Sequence, residues 1–350
     1  MNDFRLCYTK ECGEYQLETC ITTAIVRNVK NLYLRLFNQV RLPRCIFTHK
    51  NLVDLGLHWG GDIPMSGTIC LPALKKLHLF LVKYESDKSL EHLLSGCPVL
   101  EVLIVRRMEM DPLVCCYISS PTLNRLELHS NFDNDGSYTG TYRVKIDTPA
   151  LRYLHLRDYI SKDLSSGPLT SLNEAHVCID NHALVEGDVL YSRSMIEFVG
   201  RLCNVKHLIL SVGWMEVPNS AFSTLNVKFY NLTKLNLDGN WRFISVFLEN
   251  ADNLEFLIIR TVNNDLKCWM EPKQVPTCLL SHLRTVRIDQ FGCIENEFKM
   301  VRYLLRNAKI MDGMFIYSNY HEIDLKEKFD ALKRISLFKR GSEACELAFY

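Results

Sequence analysis

The stretch CLPALKKLHLFLVKYESDKSLEHLLSGCPVLEVLIV (70–105) decides the fold. It carries one short frame twice: an apolar residue, two others, a second apolar residue, one other, and a third apolar residue. The two copies lie at Leu74-Leu77-Leu79 and Leu100-Leu103-Val105. The end of each copy alternates apolar with other residues, which predicts a short strand with one buried face. Between the copies, apolar residues at 3,4 spacing predict a helix that Ser89 caps and Gly96 ends.

The same frame recurs through the whole chain in thirteen copies. The other copies are Val29-Leu32-Leu34, Leu52-Leu55-Leu57, Leu123-Leu126-Leu128, Leu151-Leu154-Leu156, Leu172-Ala175-Val177, Val205-Leu208-Leu210, Leu232-Leu235-Leu237, Leu254-Leu257-Ile259, Leu283-Val286-Ile288, Met311-Met314-Ile316 and Leu332-Ile335-Leu337. Twelve steps separate positions 29 and 332, or about 25 residues a step, within the range of leucine-rich repeats. The sequence therefore predicts a curved α/β leucine-rich-repeat solenoid whose parallel strands line its concave face.

Segments between the copies are predicted to return the chain to the next strand. Apolar residues at 3,4 spacing predict helices over 194–202, 244–250 and 295–307. Residues 131–148 hold Asp, Gly, Ser and Thr without a helical period, which predicts an inserted loop or hairpin. The aromatic residues Phe315, Tyr317 and Tyr320 favour packing in the last repeats over a ligand cage, and Phe338, Leu347 and Phe349 are predicted to close the end of the core.

Composition narrows the function classes. The 350 residues include 41 basic and 40 acidic side chains, a balance that argues against a nucleic-acid-binding surface. No run of 18 apolar residues occurs and the first residues do not resemble a signal peptide, so neither a membrane partner nor secretion is expected. The 14 cysteines are scattered without a CxxC pair, which is typical of reduced thiols in the cytoplasm or nucleus. No metal and no cofactor is expected.

The residue between the last two apolar positions of each copy is predicted to point to the exposed face of the sheet. These residues are Tyr33, Gly56, His78, Ile104, Glu127, His155, His176, Ile209, Asn236, Ile258, Arg287, Phe315 and Ser336. A second exposed column follows each copy and contains Arg106, His129 and Arg157. The candidate partner-binding residues are His78, Arg106, Glu127, His129, His155, Arg157 and His176. Arginine and histidine side chains on a rigid sheet suit acidic or planar groups, although solvated strand residues explain the same pattern.

Evidence for an enzyme is slight. Glu127, His155 and His176 fall in one column of three consecutive copies, and two histidines with a carboxylate are able to bind zinc or transfer protons. The insertion at 131–148 interrupts that column, and the chain lacks the common nucleotide-binding, nucleophile-elbow and HExxH motifs. We therefore expect no catalytic residues.

The sequence resembles plant F-box proteins that carry leucine-rich repeats and a C-terminal FBD domain. The matching stretches are RLPRCIFTHKNLVDLGL (41–57), SLEHLLSGCPVLEVLIV (89–105), ISVFLENADNLEFLII (244–259), WMEPKQVPTCLLSHLRTVRIDQF (269–291), ENEFKMVRYLLRNAKIM (295–311) and KRGSEACELAF (339–349). The resemblance implies a leucine-rich-repeat solenoid over 1–268 and an FBD domain over 269–350 that continues the repeat.

The resemblance also implies a function. Such proteins are the substrate-recognition subunits of Skp–cullin–F-box ubiquitin ligases, so this chain is expected to be a non-enzymatic module that binds a client protein. Residues 3–34 resemble the region that follows the F-box and not the F-box itself, so docking on a Skp-type adaptor is an expectation that these residues do not support. The alternatives are a scaffold or competitor that binds the client without a ligase and, less compatible with the unpaired cysteines, an extracellular recognition domain.

Overall fold

The recurring frame folds as short parallel strands that stack side by side. The computed structural model describes residues 2–8, 14–36, 41–107, 113–130, 142–158, 161, 163–179, 189–212, 227–260, 269–318 and 324–350. The chain divides into two compact units, Met1–Leu172 and Asn173–Tyr350, and each is described by itself.

The first unit is built on a parallel sheet. Its strands are β1 (Asp3–Tyr8), β2 (Asn31–Leu36), β3 (Asp54–His58), β4 (Asp62–Ile63), β5 (Lys76–Phe80), β6 (Lys83–Tyr84), β7 (Val102–Arg107), β8 (Cys115–Ser119), β9 (Arg125–Ser130), β10 (Arg143–Asp147), β11 (Tyr153–Asp158) and β12 (Asp163–Ser166). The main sheet has the order β1-β2-β3-β5-β7-β9-β11, and the remaining strands form the smaller sheets β12-β10-β8 and β4-β6. Helices α1 (Glu14–Val26) and α2 (Ser89–Ser95) and a 3-10 helix (Arg44–Thr48) lie between strands.

The second unit has one parallel sheet and longer helices. Its strands are β13 (Glu174–Ile179), β14 (His207–Val212), β15 (Lys234–Gly239), β16 (Phe256–Arg260), β17 (Thr285–Phe291), β18 (Gly313–Ser318) and β19 (Glu346–Phe349), paired in that order. The helices are α3 (Val189–Arg201), α4 (Arg242–Asn250), α5 (Thr277–Ser281), α6 (Glu295–Asn307) and α7 (Leu325–Ser336). The predicted helices over 194–202, 244–250 and 295–307 therefore correspond to α3, α4 and α6.

The apolar positions of the frame form the core of each unit. Leu55, Leu77, Leu103 and Leu126 lie opposite one another in the register of the first sheet, and all four side chains are fully buried. Burial of one such side chain stabilises the fold by about 1.5–3 kcal/mol. Because strand side chains alternate, this ladder leaves the intervening residues on the opposite face.

A buried carboxylate fixes the start of α6. Both oxygens of Glu297 accept a hydrogen bond from the backbone N–H of Gly292 at 2.9 Å, and Oε2 also accepts one from Ile294 at 3.0 Å. Glu297 is 0% exposed, so these N–H groups would lose their partners without it. The acidic side chain also interacts favourably with the positive end of the helix dipole.

The thirteenth predicted strand is wrong. Leu332 and Ile335 lie in α7, and Ser336, which was predicted to be exposed on a strand, is the last residue of that helix. Apolar residues three apart satisfy a helical period as well as the frame. Asp324 starts the helix, because its side chain accepts a hydrogen bond from the backbone N–H of Glu327 at 2.7 Å. The last strand is β19, which the frame did not identify.

Smaller predictions also need correction. Residues 143–147 of the predicted loop or hairpin form β10, which pairs in parallel with β8 and β12. Residues 131–141 lie outside the described residues, as does Tyr320. Ser89 is the first residue of α2 and does not cap it from outside; its hydroxyl oxygen accepts a hydrogen bond from the backbone N–H of Ser86 at 3.0 Å. Gly96 ends that helix as predicted.

The remaining predictions concern the cysteines, membrane-spanning helices, the end of the core and the domain boundary. No cysteine in the described part of the chain forms a disulfide, and no helix there is both long and apolar enough to cross a bilayer. Phe349 packs edge-on against Phe291 with ring centroids 5.9 Å apart. The closing role of Phe338, Leu347 and Phe349 stays a prediction, and so does the domain boundary between residues 268 and 269.

Candidate functional site

The face of the first sheet that is opposite the leucine core carries three full columns of residues, and we call it the open face of the first unit. The two columns that hold the candidate residues are Arg5, Tyr33, Gly56, His78, Ile104, Glu127 and His155, and Cys7, Arg35, His58, Phe80, Arg106, His129 and Arg157. The register thus brings six candidate residues onto strands β5, β7, β9 and β11 of one sheet. Neighbouring strands lie about 4.8 Å apart, so residues in the same column are within contact distance.

Aromatic and cationic side chains stack along one part of the open face. The rings of His58 and Phe80 are stacked with centroids 4.3 Å apart, and the guanidinium of Arg106 lies 5.0 Å from the Phe80 centroid on the other side. Stacking of arginine on an aromatic ring holds the guanidinium in place. The guanidinium of Arg106 is therefore held in place on the Phe80 ring, although the side chain is exposed.

A polar group beside this stack orients His78. Its Nε2 lies 3.3 Å from Oδ1 of Asp54, and the pKa of Asp54 is lowered because the favourable interactions of its carboxylate with His78 and Tyr33 outweigh the opposing effect of burial. Burial, together with the nearby Asp54 carboxylate, raises the pKa of Tyr33 to about 12. Gly56 makes room for this arrangement, since a Cβ there would clash with the Tyr33 ring.

Two histidines meet at the other end of the open face. The rings of His129 and His155 contact each other edge-on with centroids 4.5 Å apart. His129 is only 8% exposed, and its Nε2 has no hydrogen-bond partner among the described residues. Burial lowers the pKa of His129 to about 4, with further contributions from His155, Arg106 and Arg157. At neutral pH this imidazole is uncharged and lies among cations.

Glu127 is the third residue of this cluster, and Arg125 holds its carboxylate in place. Arg125 donates two hydrogen bonds to Glu127 Oε1, from Nε at 3.0 Å and from Nη2 at 2.7 Å, while its guanidinium lies 3.8 Å from the centroid of the Tyr153 ring. Candidate ligand atoms of Glu127, His129 and His155 lie within 4.8 Å of one another. The only carboxylate of that group is therefore already paired with Arg125.

The electrostatics of the cluster favour an anion over a metal ion. Arg106 and Arg157, which contribute to the low pKa of His129, would repel a divalent cation as they repel a proton. Guanidinium groups form paired hydrogen bonds with carboxylates, and both arginines are exposed to an approaching partner. The arrangement is therefore suited to binding an acidic group.

His176, the seventh candidate, belongs to β13 in the second unit, and its Nε2 lies 2.8 Å from Oε1 of Glu174. The group whose atoms can share one ion contains His129 and does not contain His176. The predicted column of Glu127, His155 and His176 considered one residue per strand and therefore overlooked His129, two residues after Glu127 on the same face.

Sequence reasoning also missed the column that begins each strand. Asp54, Arg125 and Tyr153 belong to it and position His78 and Glu127. The period of two in a strand was sufficient to identify these residues, because a residue two positions before an exposed one lies on the same face.

Comparison with known proteins adds the family context. A family model described as the leucine-rich repeats of FBD-associated F-box protein At5g56370 matches residues 17–171, and the FBD model matches residues 271–316. The chain is 30% identical to F-box/FBD/LRR-repeat protein At1g78750 of Arabidopsis thaliana, over 99% of this chain and 79% of that protein. It is 28% identical to the putative FBD-associated F-box protein At3g50710 of the same plant, over 96% of this chain and 79% of that protein.

Proposed function

This chain belongs to the family of F-box/FBD/LRR-repeat proteins, and we propose from this premise that its first unit recognises a client protein for a Skp–cullin–F-box ubiquitin ligase. The family suggests a protein-interaction role in ubiquitination. The chain itself would bind the client and leave ubiquitin transfer to the other subunits.

One observation carries the choice of surface. Arg106, His129 and Arg157 are opposite one another on three neighbouring strands of the open face, and the two arginines are exposed while the histidine between them is uncharged. This row presents two cations about 10 Å apart, since each step between strands is about 4.8 Å. We propose that the row pairs with acidic side chains of the client.

Charge reversal of the two arginines tests the surface. The tagged chain, its Arg106→Glu/Arg157→Glu variant and an Arg152→Glu control are expressed in plant cells and purified by their tags. Arg152 is exposed in the same unit but lies just before β11 and not on the open face. We expect the double variant to lose at least one protein that the wild type and the control both retain. Identical sets of co-purified proteins for all three chains would contradict the proposal.

The coupling to a ligase is tested separately. The 350-residue chain is mixed with a purified Skp-type adaptor, with a family member that contains an F-box as the positive control. Binding of the adaptor supports delivery of the client to the ligase. Client binding without adaptor binding supports the second function, that of a scaffold or competitor.

We further propose that the chain acts in the cytoplasm or nucleus. Support comes from the lack of disulfides among the described cysteines, because thiols persist in reducing compartments. Imaging of a fluorescent fusion tests this, and accumulation in the secretory pathway would contradict it.

A further inference from the structure

The second unit carries a pocket on the face of its sheet that lies opposite the core. The pocket has a volume of about 290 Å³, and its lining includes Lys234, Phe256, Ile258, Arg287, Phe315 and Tyr317. Pockets for small-molecule ligands span about 300–1,000 Å³, so this one is at the lower limit. Its size suits one side chain of a larger partner better than a complete small molecule.

The register of the strands builds this pocket. Ile258, Arg287 and Phe315 are opposite one another on β16, β17 and β18, and Lys234 and Phe256 are a pair on β15 and β16. The side chains that line the pocket therefore come from four consecutive strands, although they are up to 83 residues apart in sequence, from 234 to 317. A rigid sheet positions them without a flexible loop.

The aromatic side chains are fixed by their neighbours. The Phe315 ring lies over Gly313, because a Cβ built on Gly313 would be 2.8 Å from Phe315 Cε2. Tyr317 stacks on Tyr350 with centroids 4.7 Å apart, and the guanidinium of Arg287 lies 4.5 Å from the Tyr317 centroid. The apolar walls are therefore formed before a partner arrives, which lowers the entropy cost of binding.

The charge around the pocket is positive. Its lining contains two basic side chains and no acidic one. Arg287 donates to Oδ1 of Asp289 at 2.7 Å and is partly neutralised, whereas the exposed Lys234 has no acidic partner among the described residues. A carboxylate beside an apolar group is the complementary chemistry.

We propose that this pocket binds a bulky apolar side chain of a partner protein and that an adjacent acidic residue of the same partner pairs with Lys234. This adds a second contact surface to the proposed interaction role and rests on that role. The residues that form the pocket overlap the FBD-matched segment, 271–316, which contains Arg287 and Phe315. The FBD segment thereby contributes to recognition as well as to the core.

The test uses the full chain with isotope-labelled isoleucine methyl groups and three short peptides. The probes are acetyl-Asp-Phe-amide, acetyl-Lys-Phe-amide and acetyl-Asp-Gly-amide, and the readout is the NMR shift of the Ile258 methyl group. We expect acetyl-Asp-Phe-amide to shift this signal with an affinity in the millimolar range, and acetyl-Asp-Gly-amide to leave it unchanged. Because surface ion pairs are weak, the Lys-Phe peptide should bind about twofold to fivefold less tightly.

A charge swap makes the test sharper. In Lys234→Glu the preference should invert, so that the Lys-Phe peptide binds more tightly than the Asp-Phe peptide. Phe315→Ala should weaken both, and Arg284→Glu, which changes an exposed arginine outside the lining, should change neither. No shift at Ile258, or an unchanged preference in Lys234→Glu, would overturn the proposal. A tighter response to free phenylpropionate would also overturn it, in favour of a small-molecule site.

The experiments distinguish a failure of this proposal from a failure of the proposed function. Client capture that depends on Arg106 and Arg157 but leaves Ile258 unresponsive to every peptide would reject the pocket and retain the recognition role of the first unit. A response at Ile258 without any client effect of Arg106 and Arg157 would reject the open face of the first unit and retain the pocket.

Discussion

His129 should remain uncharged well below the pH at which an ordinary histidine takes up a proton. Burial, then His155, then Arg106 and Arg157 lower its pKa from 6.5 to about 4. At pH 5 about nine-tenths of His129 should be neutral, whereas an ordinary histidine is almost fully protonated there. Protonation of His129 is unfavourable in the folded chain because the imidazolium would be buried beside other positive charges.

This difference has a consequence for stability. Between pH 6.5 and about 4 the unfolded chain binds a proton at this position and the folded chain does not, so acid favours unfolding in that window. The accumulated loss is on the order of 3 kcal/mol, and it is complete once the folded chain is also protonated. Above pH 6.5 His129 is neutral in both the folded and the unfolded chain, so this loss of stability is absent.

The assay is an NMR titration of the histidine rings from pH 8 to 4.5, with His129→Gln used to assign the signal. Urea unfolding at pH 7 and pH 5 measures the loss of stability, which should be smaller in His129→Gln. His155→Gln should raise the pKa of His129, because it removes the largest contribution after burial. Titration of His129 near pH 6.5 in the wild-type chain would refute this account of the cluster.

Three other predictions concern stability and reactivity. Glu297→Ala should lower the free energy of unfolding by about 1–3 kcal/mol, because it removes the buried carboxylate that accepts from two partly buried N–H groups. Glu297→Gln should cost less, and equal losses in urea unfolding would contradict this. Gly239→Ala should cost about 1–3 kcal/mol, since φ is 114° and a Cβ would clash with the Val212 carbonyl oxygen; an unchanged melting temperature would contradict this. Burial raises the pKa of Cys97 and Cys278 to about 12, so iodoacetamide at pH 8 should modify exposed Cys20 first, as mass spectrometry of the folded chain can show; equal rates would contradict it.

The sequence was sufficient to predict the strands that carry the frame because their physics is local. Alternation along a strand and a repeat of about 25 residues are both visible in one dimension, and twelve of the thirteen copies lie where strands form. The strand predicted at Leu332 and Ile335 was wrong because a spacing of three residues occurs in helices as well. Strand β1 was missed because it precedes the first copy, and only its pairing with β2 identifies it.

The candidate site was predictable only in part. Alternation placed Arg106, His129 and Arg157 on the exposed face, and the register places them opposite one another. The buried state of His129 and the bond from Arg125 to Glu127 depend on side-chain packing between strands, which no pattern in one strand contains. The pocket beside Phe315 required the geometry of four strands, so the sequence indicated its exposed residues without indicating a cavity.

The spacing of strands in the first sheet gives its open face a unit of length. From β5, which carries Phe80, to β11, which carries Arg157, there are three steps between strands, or about 14 Å. An extended polypeptide advances about 3.3 Å per residue, so four residues cover nearly the same distance. A client lying across the strands would therefore present its matching side chains four positions apart. One extra repeat between β5 and β11 would lengthen this distance by one strand step, so it would no longer match four residues of the client, although every contact residue would be unchanged. A change in repeat number alone would therefore change which clients fit.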